Sequence, residues 1–497
     1  MDTVWILGDQ LRRDTGALAG VRPGEARVLM VESDGKVGSG RWHRQRLHFI
    51  LASMRRFAEE LRVEGFAVDY RHAPSLRAGF AAHATEFKPD RVKAMSPMSF
   101  DGRAMLEELD VNVIENDQFF CSTETFATWA GGRANLKMED FYRWQRQRLN
   151  ILMAGNKPVG GTWNYDAENR EPPPKDGRSW PSPIVDPLDA IDARVIADIA
   201  RRAPDAFGSA FDGLWATTRT GALARLHQFI DEVLPLFGPH EDAVLSSEWK
   251  LAHSMLSPYL NIGLLHPREV VEAAHAAFNE GRIPIASAEG FIRQIIGWRE
   301  YVWGLYWLWM PDYRELNALN ADQPLPLSFT GGETHMACVS HTVKAIDDRS
   351  WAHHIERLMI LGNLALTSGV RPGALVDWMW KSFIDGAEWV MLPNVIGMAL
   401  YADGGRMSTK PYASGGAYIN KMSDHCTDCR YDPKKRIGEH ACPFTTLYWD
   451  FLARNEPALR SNHRLGNQLG SMRKLKDLDA VRERAVEVRS RLRNGSI

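Results

Sequence analysis

The sequence predicts an α/β fold with a parallel sheet for the first part of the chain and an all-α fold for the remainder. Short apolar runs alternate with a helical pattern near the start. Beyond about residue 200 the apolar residues recur at helical spacing, and a stretch rich in Gly and Pro lies between the two parts. The length of 497 residues suits two to four domains.

Five short apolar runs predict strands, and an apolar stripe from Arg46 to Arg62 predicts a helix between the second and the third. This alternation predicts a parallel sheet with helices on both faces, and such sheets bind ligands beyond the carboxyl ends of their strands. The Gly8-Asp9-Gln10 turn lies at one such end. The predicted strands are 4–7, 28–31, 67–70, 91–95 and 111–114.

The segment from Gly155 to Pro187 is rich in Gly, Pro and polar residues without sustained periodicity, which predicts a connector. Helical patterns dominate after it, and there is no internal repeat. The predicted helices are 220–236, 267–280, 288–309, 350–367, 372–383 and 445–454.

Charge and hydropathy narrow the class of protein. The formal net charge of -2 gives no global attraction to nucleic acid, although a local basic patch is compatible with it. The start of the chain carries an acid and lacks the cationic stretch of a signal peptide, so we expect a cytoplasmic protein. The longest apolar run, Tyr301 to Met310, is about half of what spans a bilayer. We therefore expect no membrane association, and we expect a monomer.

Four cysteines form a candidate ligand set: Cys338, the C-x-x-C pair Cys426 and Cys429, and Cys442, which precedes a proline. Thiolates select zinc or an iron–sulfur cluster, and a two-residue spacer lets two sulfurs reach one centre. On spacing alone the two interpretations are equally good. The Cys-Pro ending favours a [4Fe-4S] cluster.

Ser254 and Ser257 place two hydroxyls three residues apart, and Pro258 follows. Hydroxyls and free backbone N–H groups at a helix start can hold phosphate oxygens. A plain cap or turn is the alternative, and for this motif alone it is the more frequent one.

Gln294 and Trp298 lie four residues apart and share a predicted helix face. An aromatic ring and an amide on one face can receive an extruded base, and Arg299 beside them could contact a phosphate. His354 lies on a predicted apolar stripe with Trp351. For each set a structural core role is the alternative.

Taken together, these segments resemble the photolyase/cryptochrome flavoproteins, whose pattern runs Ser-x-Leu-Ser-Pro-Tyr-Leu, then Trp-Arg-Glu, then His-x-x-Arg-x-Met. With the four cysteines, the chain resembles the iron–sulfur bacterial cryptochromes and photolyases, including prokaryotic (6-4) photolyases. Zinc becomes the minor alternative. The resemblance covers nearly the whole chain, and further matching blocks begin at Leu7, Pro158, Thr334, Glu388, Thr409 and Cys426.

The resemblance implies an α/β, Rossmann-like antenna-binding domain over residues 1–130 and an interdomain connector over 131–200. A helical FAD-binding catalytic domain then covers 201–497 and includes the iron–sulfur region at about 335–450. The implied cofactors are FAD, one [4Fe-4S] cluster and a 6,7-dimethyl-8-ribityllumazine antenna.

The resemblance also assigns roles to single residues. Arg357 pairs with Asp385 beside the flavin ring. Further flavin-binding positions are Ser254, Leu256, Ser257, Asn394 and Trp378. The antenna positions are Gly8, Asp9, Gln10, Glu32, His43 and Ile50. Catalytic or lesion-binding positions are His353, His354, Tyr412, Gln294, Trp298 and Arg299.

The implied function is light-driven repair of (6-4) photoproducts in UV-damaged DNA by electron transfer from excited reduced FAD. The His353-His354 pair favours (6-4) lesions, because breaking a (6-4) bond needs a proton shuttle and splitting a cyclobutane dimer does not. The alternatives are a cryptochrome-type blue-light photoreceptor and a cyclobutane pyrimidine dimer photolyase.

The chain departs from the family pattern in three places. Ser328, Phe329 and Met379 replace parts of an aromatic relay, which predicts slower photoreduction of the flavin. Met391 stands where relatives often carry a glutamate, so control of the flavin redox state is expected to differ. The antenna region has Trp42-His43 where the pattern has two histidines, and Lys36 where it has an acid.

Overall fold

The computed structural model describes residues 1–497 and contains a five-stranded, entirely parallel sheet in the first part of the chain. The strand order is β3-β2-β1-β4-β5, so the predicted α/β fold is confirmed. The strands are β1 (Asp2–Ile6), β2 (Ala26–Ser33), β3 (Ala67–Ala73), β4 (Val92–Met95) and β5 (Asn112–Ile114).

Both faces of this sheet are buried, as is typical of parallel sheets. Along β1 successive side chains point to opposite faces: Val4 and Ile6 join one apolar cluster, and Trp5 joins another. Seven helices accompany this part of the chain, of which Arg44–Val63 matches the predicted 46–62. They are Asp34–Val37, Arg44–Val63, Leu76–Phe87, Phe100–Glu108, Thr123–Ala130, Met138–Leu149 and Ala190–Arg202.

The connector implied over 131–200 contains the helix Met138–Leu149 and most of the helix Ala190–Arg202. A two-stranded hairpin of Met153–Ala154 with Lys157–Pro158 lies between them. The second helix begins with a capping box between Asp189 and Asp192. Short 3₁₀ turns complete the irregular segments of the chain. They are Gly16–Leu18, Val159–Gly161, Asp166–Glu168, Asp312–Glu315, Leu327–Thr330 and His463–Leu465.

The rest of the chain is helical, as predicted, and no helix of the structure combines the length and apolarity needed to cross a membrane. The α-helices are Arg219–Gln228, Leu234–Phe237, Ser257–Asn261, Pro267–Asn279, Ile285–Ile292, Glu300–Trp309, Ala337–Arg349, Asn363–Ser368, Pro372–Ser382, Glu388–Leu392, Gly416–Met422, Pro443–Arg454, Glu456–Leu459, Gly466–Arg473 and Leu478–Asn494.

Four wider π-helical segments interrupt this helical part, at Phe229–Val233, Arg293–Arg299, Glu356–Gly362 and Pro393–Ala399. Such segments are rare and are frequent at functional sites. Three of the four contain residues that the sequence marked as candidates, namely Gln294, Arg357 and Asn394 among others. The backbone is therefore irregular where cofactor and substrate contacts were predicted.

The helix predicted over 350–367 starts later than expected. Ser350 adopts a left-handed conformation (φ 59°) and ends the preceding helix, and residues 351–353 are not helical. The Ser350 hydroxyl donates to the carbonyl of Ser382, and its own carbonyl accepts from the N–H of Ile384. Trp351 consequently does not share a helical stripe with His354, so that part of the prediction is wrong.

Candidate functional site

An ion pair between Arg357 and Asp385 forms the centre of the candidate site. Arg357 Nη1 lies 2.9 Å from Asp385 Oδ1 and 3.2 Å from Oδ2. The Arg357 guanidinium also donates to the carbonyl of Ala352 and covers the ring of Phe383 at 4.0 Å. Asp385 is only 8% exposed, so its charge depends on this partner. The pairing predicted between these two residues is present.

Ser257 belongs to the same network. Its hydroxyl donates to Asp385 Oδ2 at 2.7 Å, so it is already bonded to a carboxylate rather than free for a phosphate. Ser254 is half-buried, and its hydroxyl accepts only a long contact of 3.4 Å from the N–H of Leu256. Of the two predicted phosphate-binding hydroxyls, Ser254 is therefore the one that stays available.

Two residues that the sequence patterns did not single out hold the backbone around Asp385. Asn261 donates to the Asp385 carbonyl at 2.9 Å, and Arg46 donates to the carbonyls of Phe383 and Ile384. Arg46 comes from the long helix beside the sheet, so the first part of the chain supports the candidate site directly. Asn261 directly follows the Ser-Pro-Tyr-Leu motif, a position that could have drawn attention to it.

The adjacent histidines point to different surroundings. His353 is 2% exposed and stacks on His253, with ring centroids 4.5 Å apart. His354 is exposed to solvent, in contrast to His353. Burial and the positive charge of Arg357 lower the pKa of His354 to about 4. The two imidazoles thus differ in exposure, and the contact of both with a substrate pocket stays a prediction.

His253 is a third histidine of this site, and it was missed because a lone histidine before Ser254 carries no recognisable motif. Burial lowers its pKa to about 3, and the neighbouring His354 and Arg357 contribute. Its Nε2 is buried without a hydrogen-bond partner, as is Nε2 of His353. A pair of stacked, neutral imidazoles with free nitrogens thus lies behind His354.

An acidic wall lies beside Gln294. The Gln294 amide donates to Glu241 Oε1 at 2.7 Å, and burial raises the pKa of Glu241 to about 8. Burial likewise raises the pKa of the adjacent Asp242 to about 6. Tyr412 is half-buried. Burial raises its pKa, and the charges of Arg170 and Asp242, among others, also act on it. Asp242 thus acts on Tyr412, and the adjacent Glu241 is the hydrogen-bond partner of Gln294.

Trp298 and Arg299 differ sharply in their access to a ligand. Trp298 is half-buried and packs edge-on against Tyr301 at 6.3 Å. The Arg299 side chain is only 8% exposed, donates to the carbonyl of Gln118 and lies 4.0 Å above the ring of Phe119. Its charge lies near Glu300, so the phosphate contact of Arg299 stays a prediction that would require the side chain to change partners.

The other predicted flavin contacts lie in the helical part, where Leu256 and Trp378 are buried and Asn394 is half-buried. Asn394 donates to the carbonyl of Val390 at 2.7 Å and keeps its side-chain oxygen free. Leu256 is buried at the start of the Ser257–Asn261 helix. Trp378 packs between Phe329, at 4.9 Å, and Phe383, at 6.2 Å. Trp378 thus connects the neighbourhood of Arg357 to the segment that lacks the expected relay residues.

The four predicted ligand cysteines converge on one small cavity near the carboxyl end of the chain. None of them forms a disulfide. Burial and the neighbouring thiols raise the pKa of Cys338 strongly and that of Cys426 to about 12. The cavity is lined by Met336, Cys338, Gly416, Ile419, His425, Cys426, Cys429, Tyr431, Cys442, Pro443 and Phe444.

Two predicted antenna residues are already engaged within the protein. The Glu32 carboxylate is fully buried; burial alone would raise its pKa, but hydrogen bonds from Arg55, Tyr70 and Arg202 outweigh this and lower it. Nε2 of His43 is hydrogen-bonded to the carbonyl of Asp347 at 3.0 Å, and Nδ1 accepts from the N–H of Gln45. Both side chains already have protein partners, and their contacts with an antenna stay a prediction.

The remaining antenna candidates lie together beyond the carboxyl end of β1. A methyl group on Gly8 would lie 3.1 Å from Met54 and 3.6 Å from Ile50. Gln10 donates to the carbonyl of Met95 at 2.9 Å. Asp9 accepts from the N–H of Met98, and its second oxygen is buried without a partner. The position matches the sheet edge where ligands bind in such folds.

Comparisons with known proteins agree with this architecture. Residues 4–215 match the family described as deoxyribodipyrimidine photo-lyase-related protein. The chain is 44% identical over 474 residues to a protein named (6-4) photolyase from Agrobacterium fabrum (strain C58 / ATCC 33970), covering 93% of both chains. It also shares its fold with a bacterial class III photolyase from Agrobacterium tumefaciens, with a TM-score of 0.59, 15% identity and coverage of 99% and 98%. The chain therefore belongs to the family of bacterial (6-4) photolyases and photolyase-related proteins.

Proposed function

We propose that this protein repairs (6-4) photoproducts in DNA in a light-driven reaction with FAD as cofactor. One observation carries the proposal, namely the likeness along nearly the full length of both chains to the (6-4) photolyase described above. The solvent-accessible His354 one turn before Arg357 supports it, because a (6-4) lesion requires a proton to move and a cyclobutane dimer does not.

FAD, when bound, supplies the light-absorbing electron donor, and the protein supplies position and charge. The residues proposed to hold it are Arg357 and Asp385 beside the ring, Asn394 with its free side-chain oxygen, and Ser254 toward the phosphates. The buried nitrogens of His253 and His353 lack partners within the protein, which fits a wall built to face a polar group. Trp378 is proposed to donate electrons during photoreduction.

His354 is proposed to handle the proton of the repair reaction. Its lowered pKa keeps the imidazole neutral at pH 7, so it can accept a proton from a lesion hydroxyl and return it later. Phosphates of bound DNA would raise this pKa toward neutrality, because nearby negative charge favours the protonated form. His353 is proposed to position His354 from behind rather than to touch the lesion.

UV-damaged DNA is the proposed substrate, and the lesion would lie against Trp298, Gln294 and Tyr412. Trp298 is accessible enough to stack on one extruded base, and the acidic wall beside Gln294 can receive base N–H groups. Arg299, whose side chain is 8% exposed, is proposed to support this set from the interior.

We propose a [4Fe-4S] cluster rather than zinc at Cys338, Cys426, Cys429 and Cys442. All four cysteines line one cavity, and the Cys-Pro ending of the set is typical of iron–sulfur sites, which supports the cluster over zinc. Burial raises the pKa of Cys426 to about 12 and that of Cys442 to about 11, and a bound positive centre would displace these protons.

A lumazine antenna is proposed beyond the end of β1, against Gly8, Asp9, Gln10 and Ile50. The unpartnered oxygen of Asp9 is the polar group most suited to orient it. The boundaries 1–130, 131–200 and 201–497 remain our proposed division into domains, and we propose a monomer.

The test is illumination of the pure, FAD-loaded protein with DNA that carries one defined lesion. We expect repair of (6-4) DNA, loss of repair in His354→Ala with normal FAD content, and normal repair in the exposed control His463→Ala. Repair by His354→Ala would remove the proposed proton step. Repair of cyclobutane dimers alone would reassign the lesion, and photoreduction without any repair would indicate a photoreceptor.

A further inference from the structure

A second cluster of potential metal ligands adjoins the four-cysteine cavity, which His425 also lines, but it contains none of the four cysteines. It consists of His341, Glu356 and His425, whose ligand atoms all lie within 4.8 Å of one another. His341 comes from the Ala337–Arg349 helix, Glu356 begins a π-helical segment, and His425 directly precedes Cys426. Neither the sequence patterns nor the proposed repair chemistry assigns a role to these three residues.

The ring nitrogens are arranged so that one nitrogen of each histidine stays free. Nε2 of His341 bonds to the carbonyl of Ser246 at 3.1 Å, which leaves Nδ1 without a hydrogen-bond partner. Nδ1 of His425 faces Asp424 at 3.8 Å, which leaves Nε2 buried and without a partner. A backbone carbonyl or carboxylate behind the second nitrogen is the arrangement that orients metal-binding histidines.

The Glu356 carboxylate lies between the two free nitrogens. It is 1% exposed and accepts from the N–H of His353 at 3.1 Å and from the Thr342 hydroxyl at 3.4 Å. No lysine or arginine pairs with it, and Nδ1 of His341 is 3.7 Å from Oε1, which is too far for a hydrogen bond. A buried carboxylate without a close cation is costly, so this group needs positive charge.

We propose that His341, Glu356 and His425 bind a divalent transition-metal ion, separate from the four-cysteine site. Two imidazoles and one carboxylate suit zinc, iron(II) or cobalt(II) and leave a fourth position for water. Ligand atoms around such an ion are spaced about 3.5 Å apart, so the three side chains would close by about an ångström on binding.

The ion would join segments that carry both other sites. The helix of His341 also carries Cys338, Glu356 is followed by Arg357, and His425 is followed by Cys426. The competing account is an imidazolium–carboxylate pair, because Glu356 raises the pKa of His341. Only the metal account predicts specific uptake of an ion.

The experiment adds cobalt(II) to anaerobically prepared protein that already contains FAD and iron, and follows bound cobalt, bound iron and the visible spectrum. We expect one cobalt per chain with weak d–d bands, unchanged iron, and at least tenfold weaker binding in His341→Gln and Glu356→Gln. The exposed His463→Gln serves as matched control and should bind as the parent does.

Three results would overturn the proposal: no cobalt uptake by the parent, equal uptake by both ligand variants, or uptake accompanied by iron loss and a thiolate charge-transfer band. The last result would assign the cobalt to the cysteines. If Glu356→Gln loses FAD or iron through misfolding, the half-buried His341→Gln decides the question alone. Repair activity does not enter this test, so it is independent of the proposed function.

Discussion

Removing the guanidinium of Arg357 should destabilise the protein and reduce its FAD content. In Arg357→Ala, the carboxylate of Asp385 keeps only the hydroxyl of Ser257 as a side-chain donor. Breaking a buried ion pair on one side costs about 3–5 kcal/mol. The Arg357 side chain is 19% exposed, which lets water solvate part of the freed charge, so we expect about 3 kcal/mol.

A second variant separates the charge effect from lost packing. Arg357 also covers Phe383 at 4.0 Å, and that contact disappears in any truncation. In the double variant Arg357→Ala with Asp385→Asn the unpaired charge is gone, so we expect it to recover roughly 1–2 kcal/mol relative to Arg357→Ala. Arg460→Ala, at an exposed position, should change the free energy of unfolding by no more than about 0.5 kcal/mol.

The assay is urea unfolding followed by circular dichroism, together with the FAD-to-protein ratio of each purified variant. Full FAD content in Arg357→Ala with a loss below about 1 kcal/mol would refute the reasoning. A double variant no more stable than Arg357→Ala would also refute it, because the penalty would then be lost packing rather than an unpaired charge.

Three further predictions test other parts of the molecule. Cys429→Ser should lose iron and lower the unfolding temperature of the carboxyl-terminal region; stoichiometric zinc without iron in the anaerobically prepared parent would contradict the cluster. Trp378→Phe should slow FAD photoreduction under blue light and reductant, because its neighbours Phe329 and Phe383 are phenyl rings and poor hopping stations; equal rates would contradict this. Burial lowers the pKa of His43 to about 4 in the folded state against 6.5 for the free side chain, so below pH 6.5 the unfolded state binds more protons. The free energy of unfolding should therefore fall as the pH drops from 6.5 to 4, by up to roughly 3 kcal/mol from this residue. Urea midpoints at pH 4.5 and 7.5 should differ less in His43→Gln than in the parent. An equal difference in both proteins would exclude His43 as a contributor.

The sequence determined those features that depend on local periodicity or on the chemistry of single residue types. The five strands were found within a few residues of their ends, because a parallel sheet buried on both faces requires continuous apolar runs. The convergence of Cys338 with Cys426, Cys429 and Cys442 could be predicted because thiolates at such spacings have few other uses in one chain. The pairing of Arg357 with Asp385 followed from family resemblance.

Only the tertiary structure decided which side chain of an adjacent pair is exposed. His353 and His354 are equivalent in the sequence, but their directions depend on where the helix begins. That start is set by Ser350, whose contacts with Ser382 and Ile384 come from more than thirty positions further along the chain. In the same way, the Arg299 side chain points inward because it contacts Gln118 and Phe119, which lie far earlier in the chain.

The tertiary structure alone also brought together His341, Glu356 and His425. These residues lie on three separate segments, and each is unremarkable among its chain neighbours. A pattern along the chain reports which side chains share a local face, because the period of a helix or strand is fixed by backbone geometry. Contacts between segments depend on how the segments pack, and for that reason the sequence predicted the elements and the cysteine site but not this cluster.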